Sequence, residues 1–247
     1  MLVDPVRTYA AAQPDRLALG DVETGRTWSW AALDGTADRL AAWLVTRLGA
    51  ASGERVAALA RNHPLLLALQ IACARAGAIY VPLNWRLSAA EISVILEDAG
   101  PTLLFAEPGF ALPATRIETH PLAALESLGE QGAVPPASAR LGWDAPMTIL
   151  YTSGTTGRPK GVVVSEGNAF WGNCNFALGC QLTRDSVMLC DMPMFHTAGL
   201  FAAVRAPLWA GAAVWISAGF DAAKTIARLA DRKLGITHYF SVPQMAS

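Results

Sequence analysis

Apolar and polar positions change period repeatedly along the chain, and each change marks the passage from one element to the next. Asp4 followed by Pro5 starts a helix that runs to about residue 13. Residues 17–21 and 27–30, with a turn at Thr24 and Gly25 between them, predict a hairpin. Ser29 then caps a long amphipathic helix whose apolar face carries Leu33, Ala37, Leu40, Leu44 and Leu48, and Gly49 or Gly53 ends that unit. A strand over 55–60, a helix over 64–76 and a strand over 78–83 follow. Ser88 and Glu91 have capping-box spacing, which opens a helix ending near Gly100, and 102–106 is the next buried strand. From 107 to 146 the pattern loosens; prolines, Pro135 and Pro136 among them, leave a surface connection and one short helix over 122–129.

Two apolar runs, 147–151 and 162–164, then flank a polar stretch, which reads as strand, flexible turn, strand. Beyond it the spacing predicts helix 168–178, strand 187–190, helix 200–209, strand 212–216, helix 221–233 and strand 236–240, with Pro243 at a further helix start. Strand and helix alternating at this spacing imply right-handed crossovers and mainly parallel sheets. Because the series resumes after the polar stretch, the expected fold class is α/β, with two mainly parallel sheets packed through helices.

Composition narrows the function. A chain of 247 residues has room for one large domain or two small ones, and 53% apolar with 16% charged residues excludes a disordered chain. A net charge of −1 without a basic cluster leaves no footprint for nucleic acid. Cys73, Cys174, Cys180 and Cys190 lack CxxC spacing and read as buried free thiols in a reducing compartment. Residues 1–5 lack the basic start of a signal peptide. The apolar stretch 65–74 is too short to span a membrane, and 198–218 carries Arg205 and Pro207 near its middle. No membrane span is therefore expected, the chain reads as cytoplasmic, and its oligomeric state, homo-oligomer included, is left open.

The polar stretch carries the chemistry. Thr152, Ser153, Gly154, Thr155, Thr156, Gly157 and Lys160 put four hydroxyls, glycines and a cation within a few residues. Glycines let backbone N–H groups approach a ligand, hydroxyls donate to its oxygens and lysine adds charge, so a polyphosphate uses all three. It is not the nucleotide-binding P-loop, whose Gly-Lys is followed by Ser or Thr and opens a helix. Here Pro159 precedes Lys160, Gly161 follows, and a β-branched run comes next.

The run from Tyr151 to Gly161, Tyr-Thr-Ser-Gly-Thr-Thr-Gly-Arg-Pro-Lys-Gly, resembles the phosphate-loop signature of the AMP-forming adenylating superfamily. That group contains acyl-CoA synthetases, peptide-synthetase adenylation domains and luciferases. The match is specific for the superfamily but not for the substrate. Residues 81–87 and 237–244 are also similar to acyl-CoA synthetase segments and read as structural. The resemblance implies an N-terminal domain of two related α/β subdomains, about 1–56 with 186–247, and about 57–185. It implies attack by a carboxylate on the α-phosphorus of ATP, release of pyrophosphate, and displacement of AMP by the thiol of CoA. Ser153, Gly154, Thr155, Thr156, Gly157 and Lys160 would grip the β- and γ-phosphates, and the Thr152 hydroxyl would also approach Mg²⁺.

Residues 193–200, Pro-Met-Phe-His-Thr-Ala-Gly-Leu, place an aromatic residue before a histidine and small residues after it, leaving room for a ligand. This resembles the superfamily's aromatic–histidine motif, in which the histidine lies beside carboxylate and nucleotide. His196 would then position the substrate and help electrostatically, alongside Lys160; a carboxylate is already ionised at neutral pH and needs no base. Amino-acid-activating relatives commonly carry Asp where His196 stands, so an acid without an α-amine is expected. Ala198, Gly199 and Leu200 suggest an apolar acyl pocket, fatty or aromatic. His63, His120 and His238 match no ligand spacing and read as structural.

The resemblance runs nearly the whole length of the chain, whereas the chain corresponds to about half of a complete superfamily member. The later Thr-Glu motif, the ribose-binding aspartate, the hinge and the C-terminal domain with its lysine are not in it. The expectation is a truncated, nearly inactive piece of an acid–CoA ligase. The alternative is a non-catalytic binding or assembly module with at most a weak triphosphate site.

Overall fold

Near-continuous burial along three neighbouring strands shows where the first core lies. In the computed structural model, which describes residues 4–110, 112–131, 142–152 and 158–245, β3 (Arg55–Leu59), β4 (Ile79–Leu83) and β5 (Leu103–Ala106) are covered almost end to end. Parallel strands flanked by helices read this way because both faces are covered. They belong to a six-stranded sheet of order β6-β5-β3-β4-β7-β8, with β6 at Glu118–Pro121, β7 at Pro146–Thr152 and β8 at Lys160–Ser165. Every pairing in it is parallel except β7 with β8. Ala57, Leu59, Val81, Leu83 and Leu104 pack with Ile92, Ile95 and Leu96 of the helix α4 (Ala89–Ala99). This sheet lies in one compact unit, Gly35–Arg61 with Leu65–Asn168.

The second unit, residues 4–34, Asn62–Pro64 and 169–245, holds a five-stranded sheet of order β11-β9-β10-β1-β2. Its strands are β1 (Leu17–Asp21), β2 (Thr27–Ser29), β9 (Val187–Cys190), β10 (Ala213–Ile216) and β11 (His238–Tyr239). Only the β1–β2 hairpin is antiparallel, and β1 pairs with β10 across nearly two hundred residues of sequence. The chain passes between units at residues 34–35, 61–62, 64–65 and 168–169. The passages at 34–35 and 168–169 fall inside helices, whose periodicity carries no mark of a change of core.

Helix ends follow local chemistry. Asp4 Oδ1 accepts from the Arg7 N–H at 3.1 Å and Pro5 occupies the first turn of α1 (Pro5–Ala12). Ser29 Oγ accepts from the Ala32 N–H at 3.2 Å at the start of α2 (Trp30–Leu48), and Gly49, at φ +83°, ends it. The Ser88–Glu91 capping box is present, and Gly100 closes α4 in the left-handed region. The helix α3 (Pro64–Ala76) is buried almost throughout, and its Gln70 Nε2 donates to Thr148 Oγ1 of β7 at 3.0 Å. The segment 81–87 contains Trp85, whose ring lies under Arg86 and 5.6 Å from Phe110.

Two elements depart from the sequence reading. The stretch read as connection contains β6 as well as the short helix α5 (Ala124–Glu130). Its residues Glu-Thr-His-Pro are mostly exposed at the sheet edge, so no apolar alternation announces the strand. The helix expected over 200–209 is an eight-residue π-helix, Ala198–Arg205, followed by α7 (Ala206–Trp209). A widened i→i−5 turn changes hydrogen bonding without changing composition, and periodicity does not reveal it. The remaining helices among the described residues are α6 (Glu166–Gly179), α8 (Ala222–Ala230) and a single 3-10 turn, Pro243–Met245. The four cysteines are free, three of them buried, and no helix among the described residues is long and apolar enough to cross a membrane.

Candidate functional site

The polar stretch is flanked by the β7–β8 hairpin. Met147, Thr148 and Leu150 are buried in β7, whereas β8 is the sheet edge. Thr152 lies opposite Lys160, and both are exposed. A hydroxyl-bearing and an ammonium-bearing residue are therefore cross-strand neighbours at the solvent end of the pair, an arrangement suited to an anion. Ser153, Gly154, Thr155, Thr156 and Gly157 lie outside the described residues. Lys160 starts a strand and not a helix, in keeping with the absence of the P-loop pattern.

The strand pair is braced one step before Thr152 and Lys160. The Tyr151 hydroxyl donates to Asp98 Oδ2 on α4 at 2.5 Å. Burial, and then the Asp98 carboxylate, push the phenol well above its ordinary value, so it stays a donor. Opposite Tyr151 stands Gly161, where a Cβ would lie 2.9 Å from Ile149 Cγ2 and 3.1 Å from Tyr151 Cζ. The glycine that follows the lysine thus makes room for the tyrosine ring.

In the second unit, β9 leads through Asp191 into a turn, Met192 to Thr197, and then into the π-helix. His196 and Thr197 are exposed and Phe195 is half-buried, its ring 6.2 Å from the imidazole. The His196 N–H donates to Pro193 O at 3.1 Å, and the His196 carbonyl accepts from Leu200 N at 2.9 Å. Ala198 is half-buried, while Gly199 is buried and Leu200 is fully covered. A Cβ on Gly199 would lie 2.2 Å from Pro193 O, so this glycine admits the turn's backbone.

Two buried polar groups next to this turn went unread in the sequence. Asn62, 7% exposed, uses its whole amide on the turn's backbone. Asp191, 1% exposed, accepts from the Thr225 hydroxyl through Oδ2, while its Oδ1 lies 3.6 Å from Arg228 and has no hydrogen-bond partner among the described residues. Burial pushes its carboxyl above the ordinary range, against the lowering effect of Thr225, Ser217 and Arg228. Partial burial, and then the Asp191 charge, push the half-buried Tyr239 phenol up to about 12. One charge interrupting an apolar run between β9 and Met192 was the available signal for Asp191; Asn62, beside a helix-starting proline, had none.

Among the described residues no group of three or more His, Cys, Asp or Glu could hold a metal ion. A Mg²⁺ carried by phosphate oxygens, with one hydroxyl such as that of exposed Thr152, fits these residues; a cage made by the protein does not.

Two mostly parallel sheets, with a hydroxyl-, glycine- and lysine-bearing stretch set in a hairpin, mark the AMP-forming adenylating class. The sequence matches the AMP-binding enzyme family over residues 6–247, and the chain belongs to that family. It is 35% identical over 244 residues to an indoleacetate–CoA ligase of Aromatoleum aromaticum, covering 93% of this chain and 47% of that protein. Among solved structures it is similar to the O-succinylbenzoate CoA synthetase MenE of Bacillus subtilis in complex with AMP. That similarity has a TM-score of 0.86 at 26% identity and covers 99% of this chain and 62% of the other. The ATP-bound MatB of Rhodopseudomonas palustris gives 0.81 at 28% identity, over 97% of this chain and 50% of that one. The chain spans about half the length of the curated relatives it matches.

Proposed function

We propose that this chain is the N-terminal part of an acid–CoA ligase that joins a carboxylic acid to AMP at the expense of ATP and then passes the acyl group to CoA. The observation that carries the reading is the setting of exposed Thr152 and Lys160 opposite one another at the end of β7 and β8 that leads into the Ser/Thr/Gly signature. Both reactants are anions, so the protein must hold them in line and spread the charge that develops on the leaving pyrophosphate. Ser153, Gly154, Thr155, Thr156, Gly157 and Lys160 serve the β- and γ-phosphates, and Lys160 also neutralises charge in the transition state. The Thr152 hydroxyl accompanies the Mg²⁺ that ATP brings, which supplies further charge neutralisation. His196, exposed on its turn, donates toward the acyl carboxylate or α-phosphate.

The acid is apolar, fatty or aromatic: Ala198 borders its site, and buried Gly199 and Leu200 form the wall behind. The name of the indoleacetate ligase, an aromatic-acid enzyme, supports this class. Free thiols and the use of ATP and CoA fit the cytoplasm. The 247-residue chain alone has little activity, because it spans half of its relatives.

Pyrophosphate exchange by the chain and by a full-length protein carrying it tests the reading. Exchange is expected from the latter alone, and joint replacement of Thr155, Thr156 and Lys160 by alanine lowers it by about a hundredfold or more. Unchanged turnover and ATP KM in that variant would refute the loop assignment. No exchange from either protein, with pyrophosphate still bound, would point to the non-catalytic binding module.

A further inference from the structure

We infer that Asn62 is the positioning residue for His196, holding the turn that presents the imidazole; its role in turnover rests on the function proposed above. The Asn62 Nδ2–H donates to Met192 O at 2.8 Å, and the Met194 N–H donates to Asn62 Oδ1 at 2.8 Å. A carbonyl and an N–H two residues apart, both bound by one amide, reproduce the bonding a parallel strand would offer to the residue between them. That residue is Pro193, which has no N–H of its own. No strand pairs here, because β9 ends at Cys190, and the side chain takes the strand's place.

The restraint reaches His196 in one further step. Pro193, fixed between the two clamped residues, turns its carbonyl to the His196 N–H at 3.1 Å. Gly199, at the start of the π-helix, leaves the space into which this carbonyl fits. Asn62, Met192 and Met194 are all buried, at 7%, 7% and 2% exposure, so water cannot substitute for the amide, and both backbone groups would be left unpaired without it. The amide orientation follows from its partners, and an aspartate would set a carboxylate oxygen against the Met192 carbonyl.

Amide hydrogen exchange on the 247-residue chain tests the clamp directly. Asn62→Leu, of similar size but with neither donor nor acceptor, is expected to speed exchange at Met194 by about tenfold or more, while Leu189 in β9 changes far less. Asn62→Ser, too short to span both groups, gives the same result if the leucine variant does not fold. In a full-length protein carrying the chain, Asn62→Asp lowers kcat by about a hundredfold with the KM for ATP nearly unchanged. Applied to His196→Ala, it costs little more, because both changes disable the same group. Unchanged Met194 exchange, or losses that multiply, would overturn the inference. Full turnover by His196→Ala would also remove Asn62's role in turnover, yet that failure would belong to the function reading and would leave the exchange effect standing.

Discussion

Gly199→Ala puts one methyl group where the turn's backbone already lies. Its Cβ would stand 2.2 Å from Pro193 O, 2.5 Å from Pro193 C and 2.6 Å from Met192 O. Carbon contacts settle near 3.5 Å, so the turn must retreat by about 1 Å. The atoms in the way are backbone, and Met192 and Met194 on either side of Pro193 are buried. No rotamer change relieves the clash, and the cost falls at the upper end of overpacking, about 3 kcal/mol. With a urea m-value of about 3 kcal/mol/M, the unfolding midpoint drops by about 1 M. Gly172→Ala is the control: that glycine lies exposed in α6 with nothing within 4 Å of an added Cβ. It should raise stability by about 0.5–1 kcal/mol, because a helical glycine gives up more backbone freedom than alanine. Urea titrations followed by circular dichroism compare the two. In a full-length protein the same displacement of the His196 turn costs about a hundredfold in turnover. Equal midpoints for the two variants would refute the packing argument.

Other substitutions probe buried charge. The folded Asp191 carboxyl has a pKa above its unfolded value of 3.8, so the folded state holds its proton longer. Its contribution to stability is greatest below the unfolded value and is lost as pH rises through the folded one. Asp191→Asn removes that loss, and its midpoint relative to wild type should climb from about pH 3.5 to pH 7 in urea titrations; a flat or falling difference contradicts the burial argument. Arg75 and Asp38 pair at 2.9 Å with side chains 4% and 17% exposed. Asp38→Ala leaves a buried guanidinium short of its counter-ion and should cost about 3 kcal/mol by thermal unfolding, most of it recovered when Arg75→Met is added.

Local chemistry was legible in the chain. Asp4 with Pro5, Ser88 with Glu91, and Gly100 determine helix ends through atoms no more than a few residues away, and the helices start and stop there. The apolar runs of β3, β4 and β5 announce strands covered on both faces. The phosphate-loop signature was readable because its chemistry is contiguous: hydroxyls, glycines and lysine lie within the single run of residues 152–160.

Tertiary structure decided whatever depends on distant neighbours. The edge strand β6 exists because β5 offers it a ladder, not because its own four residues favour one. The burial of Asp191 beneath Thr225 and Arg228 and the clamp by Asn62 both join segments tens of residues apart or more. A sequence records which groups are available to bond. Only the fold brings an amide at 62 within reach of a turn at 192, where burial removes the competing water and makes that bond necessary.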